Sequence, residues 1–442
     1  MTRWLPVAAL LVTHLGPSLQ AQDSSRVQPR QGVRIGLNYG PGSRPGVIVL
    51  PIEKLGGDSI RTIIARDLDY SDRMDVIALD SMTVRALTPG ADRKINFALM
   101  SKFGANILIM GVPSKAGVQI SVYDVGAKKR IGMADFYLPS LMRQGEWRFA
   151  VHGISDEIER WLLGIRGEAQ SRIAFVHNGA IKLVDSDGAM TRTIRAGSGS
   201  LSPSWSFDGT RLVYCVLGNN GTQIFEAELA NGTITRISSV KPGLNITPVF
   251  TPDGNSIVYS RGSDTGSDLV QVDRAGYSQR LTVGNGTDNN SPSFSPDGRQ
   301  IAFISGRGGT PQVYIMDADG TDMNLLTGYD MRVPNYTSSP DWSPDGRLIA
   351  YQQRASGGFQ VWMIDVRNRV PRQLTVDGEN EDPSWAPDAR HIVLTSTRGG
   401  DKQLWVLDSE SGRFRQLTHS PGARLASWSP LLGRQTPAVV GK

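Results

Sequence analysis

The segment Pro292-Ser-Phe-Ser-Pro-Asp-Gly298 is one copy of a motif that recurs through the second half of this 442-residue chain. Proline is tolerated at the start of a strand. Ser-Pro-Asp-Gly is typical of a tight turn, because proline presets φ and glycine accepts the left-handed conformation. Each copy therefore predicts a strand that ends in a turn. The other copies are Pro203-Ser-Trp-Ser-Phe-Asp-Gly209, Pro248-Val-Phe-Thr-Pro-Asp-Gly254, Pro340-Asp-Trp-Ser-Pro-Asp-Gly346, Pro383-Ser-Trp-Ala-Pro-Asp-Ala389 and the shorter Ser427-Trp-Ser-Pro430.

The motif repeats with the spacing of a β-propeller blade. Successive motif aspartates are separated by 45, 44, 48 and 43 residues, and a four-stranded blade takes roughly 40–45 residues. The sequence predicts a six-bladed, all-β propeller over residues 172–430, with four antiparallel strands per blade. The motif aromatics are predicted to fill the gaps between blades: Trp205, Phe250, Phe294, Trp342, Trp385 and Trp428.

The two ends of the repeat complement each other. The first unit, Arg172–Ile194, has three strands but no preceding motif strand, whereas the last unit has a motif strand at Trp428 and nothing after it. We therefore expect Trp428 to pair beside the strand Ile173–Val176 and close the ring, which leaves no unpaired edge.

The chain before the repeat contains a leader and a small domain. Residues 1–21 are predicted to be a signal peptide with a positive start, an apolar core and a small final residue. Residues 22–45 predict a flexible segment with a candidate strand at 33–39. Alternating strand and helix signals over 46–165 predict an α/β domain with a mixed sheet packed against the ring. Residues 431–442 are predicted to be a tail.

Composition and motifs argue against several function classes. The 47 basic and 42 acidic residues are interspersed, so no nucleic-acid-binding stripe is predicted. A single cysteine, Cys215, permits neither an internal disulfide nor a thiolate metal site. Gly-x-x-x-x-Gly-Lys, His-Glu-x-x-His and Gly-x-Ser-x-Gly do not occur. We predict no catalytic residue, no metal and no cofactor.

An enzyme nevertheless stays open as the alternative: an exported propeller hydrolase or lyase with an unrecognised site in the channel. Polar groups that converge in the channel with perturbed pKa values would favour it. Four recurring arginines follow the second strands, and we expect them to form ion pairs with adjacent blades. They are Arg261, Arg307, Arg354 and Arg398.

Several segments carry a family resemblance, among them Val33-Arg-Ile-Gly-Leu37, Arg44–Pro51, Gly104–Gly111 and Arg172–Val176. With the six blades, they make the chain resemble the TolB family over nearly the whole mature sequence. The resemblance implies a non-enzymatic periplasmic protein of the Tol–Pal system, which maintains outer-membrane integrity and aids constriction at cell division. It implies that the propeller binds the lipoprotein Pal and that the N-terminus can engage TolA, with other Tol proteins as further partners. We expect a monomer that neither inserts into membranes nor binds nucleic acid.

Strand order predicts where the partner binds. The α/β domain joins at Arg172, the start of a second strand, and so lies on the face that carries the motif turns, here called the turn face. Loops entering each first strand lie on the opposite face, the free face, around the channel mouth. The resemblance assigns Pal to this mouth, and the predicted Pal-binding residues are Asn245, Thr247, Asn289, Asn290, Ser291, Tyr336, Thr337, Ser338, Glu379, Glu381 and Asp382. The residues predicted for a TolA-type contact are Val33, Arg34, Ile35 and Leu37.

Overall fold

A computed structural model describes residues 44–52, 57–88, 94–195, 197–219, 221–238, 243–284, 286–328, 335–355 and 357–433. The predicted signal peptide, the candidate strand 33–39 and most of the predicted tail lie outside the described residues. The predicted TolA-type contact, Val33, Arg34, Ile35 and Leu37, also lies outside them.

The first part of the described chain is a mixed sheet covered by helices, as predicted. Its strands are β1 (Gly46–Val49), β2 (Asp75–Val76), β3 (Ile107–Pro113), β4 (Gly117–Asp124) and β5 (Lys129–Tyr137), in the order β2-β1-β3-β4-β5. Strand β1 pairs in parallel with β2 and β3, and the pairs β3–β4 and β4–β5 are antiparallel. The helices are α1 (Gly57–Tyr70), α2 (Ser81–Leu87), α3 (Phe97–Lys102) and α4 (Gln144–Leu163).

Helices α1 and α4 bury apolar stripes in one core with the sheet. Ile60, Ile64 and Leu68 of α1 and Ile154 and Ile158 of α4 are fully buried there. Each such side chain contributes about 1.5–3 kcal/mol relative to an exposed position. This shared core fixes α1 against α4, so the residues after α1 are held rigidly at the edge of the domain.

Six four-stranded sheets follow, and together they form the propeller. In blades 2 to 6 the four strands follow chain order. The first blade holds β6 (Arg172–His177), β7 (Ala180–Asp185) and β8 (Arg192–Arg195), and the second β9 (Ser200–Trp205), β10 (Arg211–Gly218), β11 (Gly221–Glu228) and β12 (Ile234–Arg236). The third holds β13 (Asn245–Phe250), β14 (Ser256–Ser263), β15 (Gly266–Asp273) and β16 (Ser278–Arg280), and the fourth β17 (Asn289–Phe294), β18 (Gln300–Ser305), β19 (Gln312–Asp317) and β20 (Asn324–Leu325). The fifth holds β21 (Thr337–Trp342), β22 (Leu348–Ala355), β23 (Gly358–Asp365) and β24 (Pro371–Gln373), and the sixth β25 (Asn380–Trp385), β26 (His391–Ser396), β27 (Gln403–Asp408) and β28 (Phe414–Gln416).

The last strand, β29 (Arg424–Trp428), completes the first blade. It pairs antiparallel with β6, and Trp428 lies opposite Ile173. The Trp428 indole donates to Ser171 Oγ at 2.8 Å. The predicted closure of the ring by the C-terminal strand is confirmed.

The motif aromatics lie at the ends of the innermost strands, where they contact the preceding blade. All six are buried. The indole of Trp205 donates to the carbonyl of Ser427, and that of Trp385 donates to the carbonyl of Asp341, both at 3.1 Å. Each of these indoles therefore ties two blades together. The six residues are Trp205, Phe250, Phe294, Trp342, Trp385 and Trp428.

Candidate partner-binding face

The innermost strands enclose a channel with a cavity of about 550 Å³. Its wall repeats the same three positions in every blade: the residue before the motif proline, the proline itself, and the residue between proline and the aromatic. In the last blade strand, Leu425, Ala426 and Ser427 take these three positions. The channel surface is therefore built from the motif itself.

The residue before each proline has a left-handed backbone, which is uncommon for residues other than glycine. The φ values lie between 47° and 53°, and the strand register shifts at this position. Because the conformation recurs in all six blades, it belongs to the blade geometry and does not mark one special residue. The six residues are Ser202, Thr247, Ser291, Ser339, Asp382 and Leu425.

Three predicted Pal-binding residues are buried in blade contacts. Asn245 Nδ2 donates to the carbonyl of Thr222, and Asn289 Nδ2 donates to that of Ser267, at 2.9 and 3.1 Å. Thr337 is fully buried, and its backbone N–H donates to Pro311. These side chains hold the start of one blade against the previous one and leave little surface for a partner.

The other predicted residues are accessible and lie around the free-face mouth. Tyr336 is 39 % exposed and touches Phe359 edge-on, with ring centres 5.8 Å apart. The remaining members are half-buried: Thr247, Asn290, Ser291, Ser338, Glu379, Glu381 and Asp382. The four blades that carry the predicted residues, blades 3 to 6, do not contribute equally to this surface, because the accessible aromatic and the acidic residues cluster on blades 5 and 6.

A lysine bridges the two glutamates at the sixth-blade mouth. Lys402 Nζ lies 3.6 Å from Glu379 and forms a shorter ion pair with Glu381. The pKa of Lys402 is raised because these pairs outweigh its partial burial. The side chains of Lys402, Glu379 and Glu381 remain 17–39 % exposed, so a binding partner can reach both the lysine and the glutamates.

The recurring free-face arginines differ from the expectation. Arg261, Arg307 and Arg398 lie over aromatic rings of their own blades, at 3.3–5.7 Å between the guanidinium carbon and a ring centre. Among the described side chains, none of these three forms an ion pair with an adjacent blade within 4 Å. Cation–π contact orients a guanidinium without neutralising it, so positive charge remains on the free face.

Two carboxyl groups of the channel wall have perturbed pKa values. Burial raises the pKa of Asp341 to about 6, and burial together with Glu381 raises that of Asp382 to about 6. Asp341 accepts from the backbone N–H of Trp385 at 2.7 Å. The equivalent Ser293 and Ser384 accept from Trp342 and Trp428 in the same way.

The position of Asp341 is therefore a blade–blade acceptor in several blades. Asp382 differs in its partner, because its carboxylate accepts from the Ser339 hydroxyl at 3.2 Å; both carboxyl groups line the cavity.

On the turn face, the α/β domain covers blades 1 and 6. Asp187, in the turn between β7 and β8, binds Arg148 at 2.6 Å and also pairs with Arg66. Arg73, after α1, lies 3.1 Å from Asp388 in the motif turn of blade 6, here called the sixth turn. These side chains are largely buried. Sequence reasoning did not find this charged interface, although the sixth turn departs from the motif at Ala386 and Ala389.

No helix within the described ranges is long and apolar enough to cross a bilayer. Fold and site together define a six-bladed propeller protein whose free face is open and whose turn face carries an α/β domain. The family model for the TolB β-propeller domain matches residues 160–432. The chain therefore belongs to the TolB β-propeller family.

Individual relatives agree with the family model. The Tol-Pal system protein TolB of Haemophilus influenzae is 31 % identical over 243 residues, which is 52 % of this chain and 54 % of that protein. The protein of the same name from Histophilus somni is 29 % identical over 236 residues, 50 % of this chain and 54 % of the relative. The match thus spans about half the length of these curated relatives. The crystal structure of TolB from Acinetobacter baumannii superposes with a TM-score of 0.75 at 25 % identity, covering 88 % of this chain and 98 % of that one.

Proposed function

We propose that this protein is a periplasmic, non-enzymatic component of a Tol–Pal system that binds the lipoprotein Pal through the free face of its propeller. Membership of the TolB family supports the system. The proposed site rests on one observation. The described contacts of the α/β domain all reach turn-face segments of the ring, so the domain leaves the channel mouth on the free face uncovered. In such a system the protein would maintain the outer membrane and aid constriction, and its N-terminus would be the segment available to TolA.

The chemistry of the free face supports a protein partner. Tyr336 offers an aromatic anchor, and Arg307 is an exposed cation held over the rings of Phe303 and Tyr314. Aromatic residues and arginine are the types that most often dominate binding energy at protein interfaces. The buried Asn245, Asn289 and Thr337 support this surface from within the ring. The proposed contact residues are the accessible ones: Thr247, Asn290, Ser291, Tyr336, Ser338, Glu379, Glu381 and Asp382.

A matched pair of tyrosine variants tests the site. Tyr336→Ala should weaken binding of purified Pal about 5- to 30-fold, because it removes an aromatic anchor. Tyr277→Ala removes an even more exposed tyrosine, 71 % against 39 %, from a turn-face loop and should leave affinity unchanged. Affinities are measured by titration calorimetry. Equal losses for both variants, or no binding by the wild type at micromolar concentration, would reject the site.

The raised pKa values in the channel favour a second candidate, a hydrolase or lyase. Both wall carboxyl groups line the cavity, but Asp341 accepts the backbone N–H of Trp385, so Asp382 is the candidate acid or base. If it acts as an acid or base, Asp382→Asn should abolish turnover of a polysaccharide panel by the wild-type protein. A wild type that is inactive on the whole panel would count against this candidate.

A further inference from the structure

The sixth turn, between β25 and β26, has a different hydrogen-bond pattern from the motif turns of blades 2 to 5. In blades 2 to 5 a Ser or Thr hydroxyl donates to the motif Asp at 2.5–2.6 Å and accepts the backbone N–H at the start of the second strand at 2.9–3.0 Å. The hydroxyl residues are Ser206, Thr251, Ser295 and Ser343. In the sixth turn Ala386 replaces this residue, and His391 begins the second strand.

Without the hydroxyl, Asp388 takes both roles. Its Oδ1 accepts the backbone N–H groups of Arg390 and His391, each at 3.0 Å. Its Oδ2 contacts His391 Nδ1 at 2.8 Å and Arg73 Nη2 at 3.1 Å. The altered turn therefore directs a carboxylate oxygen to an imidazole and to the α/β domain.

The imidazole of His391 bridges the two parts of the protein. Its Nε2 lies 3.2 Å from Asp72 Oδ2, just after α1, while Nδ1 contacts Asp388 of the ring. Carboxylates only accept hydrogen bonds, so both ring nitrogens can donate at once only in the imidazolium form. The His391 side chain is fully buried, so protein groups rather than water stabilise the imidazolium charge.

Further charged groups surround this centre on every side. Glu168, in the linker between the two parts, lies 3.6 Å from His391 Nδ1. Arg413 of the sixth blade binds Asp72 at 2.9 Å and Asp69 at 2.8 Å. The other charges facing the cluster are Arg44, Glu159, Arg390, Asp408 and Arg415.

We propose that His391, Asp72, Asp388 and Glu168 form a proton-operated latch that holds the α/β domain on the sixth blade while His391 is an imidazolium and releases the domain when His391 loses its proton, both parts remaining folded. A neutral His391 carries one ring N–H and can donate to only one of its two carboxylate partners. The contact with either Asp72 or Asp388 is then lost, and each carboxylate keeps its arginine, Arg413 or Arg73.

The sign of the pH dependence follows from the partners. Burial opposes the charge, but Glu168 and Asp388 raise the pKa of His391 to about 10. The stabilisation is therefore complete below the ordinary pKa of about 6.5 and disappears as the pH rises through 10. Burial also raises the pKa of Glu168 to about 7. Both shifts make the docked state bind protons more tightly, so alkali loosens docking.

Distance measurements between spin labels test the latch in the full chain. Met82 in the domain and Tyr277 in the ring are 80 % and 71 % exposed, and both are replaced by cysteine; the native Cys215 is buried and stays unlabelled. The distance distribution should be narrow from pH 6 to 8 and broaden at least twofold by pH 10.5. His391→Gln should be broad already at pH 7 and insensitive to pH up to 10.5. Glutamine suits this place because Gln300 occupies it in the fourth blade.

The control is His419→Gln, which changes an exposed histidine of the free face and should behave as the wild type. A narrow, pH-sensitive distribution in His391→Gln would overturn the latch. Broadening of the wild type at pH 7 on addition of a chelator would also overturn it, in favour of a metal-held interface. If His391→Gln does not fold, NMR of the histidine side chains in the wild type tests the latch instead. Signals from both ring N–H groups of His391 should persist to pH 9. Loss of the His391 ring proton below pH 8 would reject the proposal.

Discussion

The turn face and the free face are built from the same six repeats, yet they hold their charges in opposite ways. On the turn face, the side chains of Asp187, Asp388 and Asp408 are at most 2 % exposed and each is paired with at least one cation. On the free face, Lys402 and its two glutamates keep contact with water. Burial therefore decides how much the charges of a repeat contribute to stability.

The largest expected effect is at Asp187. Asp187→Asn leaves Arg66, Arg148 and the buried His152 without their common carboxylate. Breaking a buried ion pair from one side costs about 3–5 kcal/mol. Urea unfolding should show this loss, while Asp297→Asn, in the exposed fourth turn, should cost less than about 1 kcal/mol. A loss below 1 kcal/mol at Asp187 would mean that the turn-face charges are no more important than surface charges.

Acid should weaken the turn face next most strongly. Although burial opposes ionisation, His391 and Arg413 lower the pKa of Asp72, His391 and Arg73 lower that of Asp388, and His152 and Arg66 lower that of Asp187. A lowered carboxyl pKa contributes stability above its unfolded value near 4, and this stability is lost as the pH falls below it. The free energy of unfolding should drop by about 2–3 kcal/mol between pH 5 and pH 2.5. In Asp187→Asn the free energy of unfolding should drop less over the same pH range. A drop equal to that of the wild type would show that Asp187 does not contribute to the acid sensitivity.

A smaller effect is expected from the ordinary turns. Ser295→Ala removes the hydroxyl that accepts the backbone N–H of Gln300 and thus imitates Ala386 of the sixth turn. Without a histidine or a docked domain to compensate, the loss should be about 1 kcal/mol. The control is Ser198→Ala, which changes an exposed serine between β8 and β9 and should be nearly neutral. Stability of Ser295→Ala at the wild-type level would show that the hydroxyl is dispensable everywhere.

The smallest effect belongs to the free face. Glu381→Gln removes one partner of Lys402, which retains Glu379 at 3.6 Å. Exposed pairs contribute about 0–1 kcal/mol, so the unfolding midpoint in urea should move little. A loss above 2 kcal/mol would show that this pair is structural, and the contrast between the faces would then fail.

The repeat explains why the ring was predictable and its docking surface was not. The motif specifies strands and turns that pair with near neighbours, and its incomplete first and last units indicate the closure at Trp428. Arg73 and Asp388, in contrast, are 315 residues apart. No local pattern links such partners, although the missing hydroxyl at Ala386 and the histidine at 391 were visible signals of a turn with another role.

Local context explains why only some of the predicted Pal-binding residues are accessible. Strand order placed Asn245 and Asn289 with the other polar residues of the free-face loops, but both amides donate to backbone carbonyls of the preceding blade. The short helix α2 was not predicted because only Val84 and Leu87 are buried in it, too few for a clear apolar period, and Asp80 stabilises its start by accepting two backbone N–H groups. Whether a polar side chain faces water depends on the neighbouring repeat, which sequence spacing does not encode.

The pairing of β29 with β6 has a consequence for the life of the protein. A chain that ends between Gln416 and Arg424 keeps all the strands of blades 2 to 6 but leaves β6 without its partner β29 along Ile173–Val176. Such an edge recruits strands from other molecules. The strand Arg424–Trp428 therefore protects the chain from edge-to-edge association as well as closing the ring.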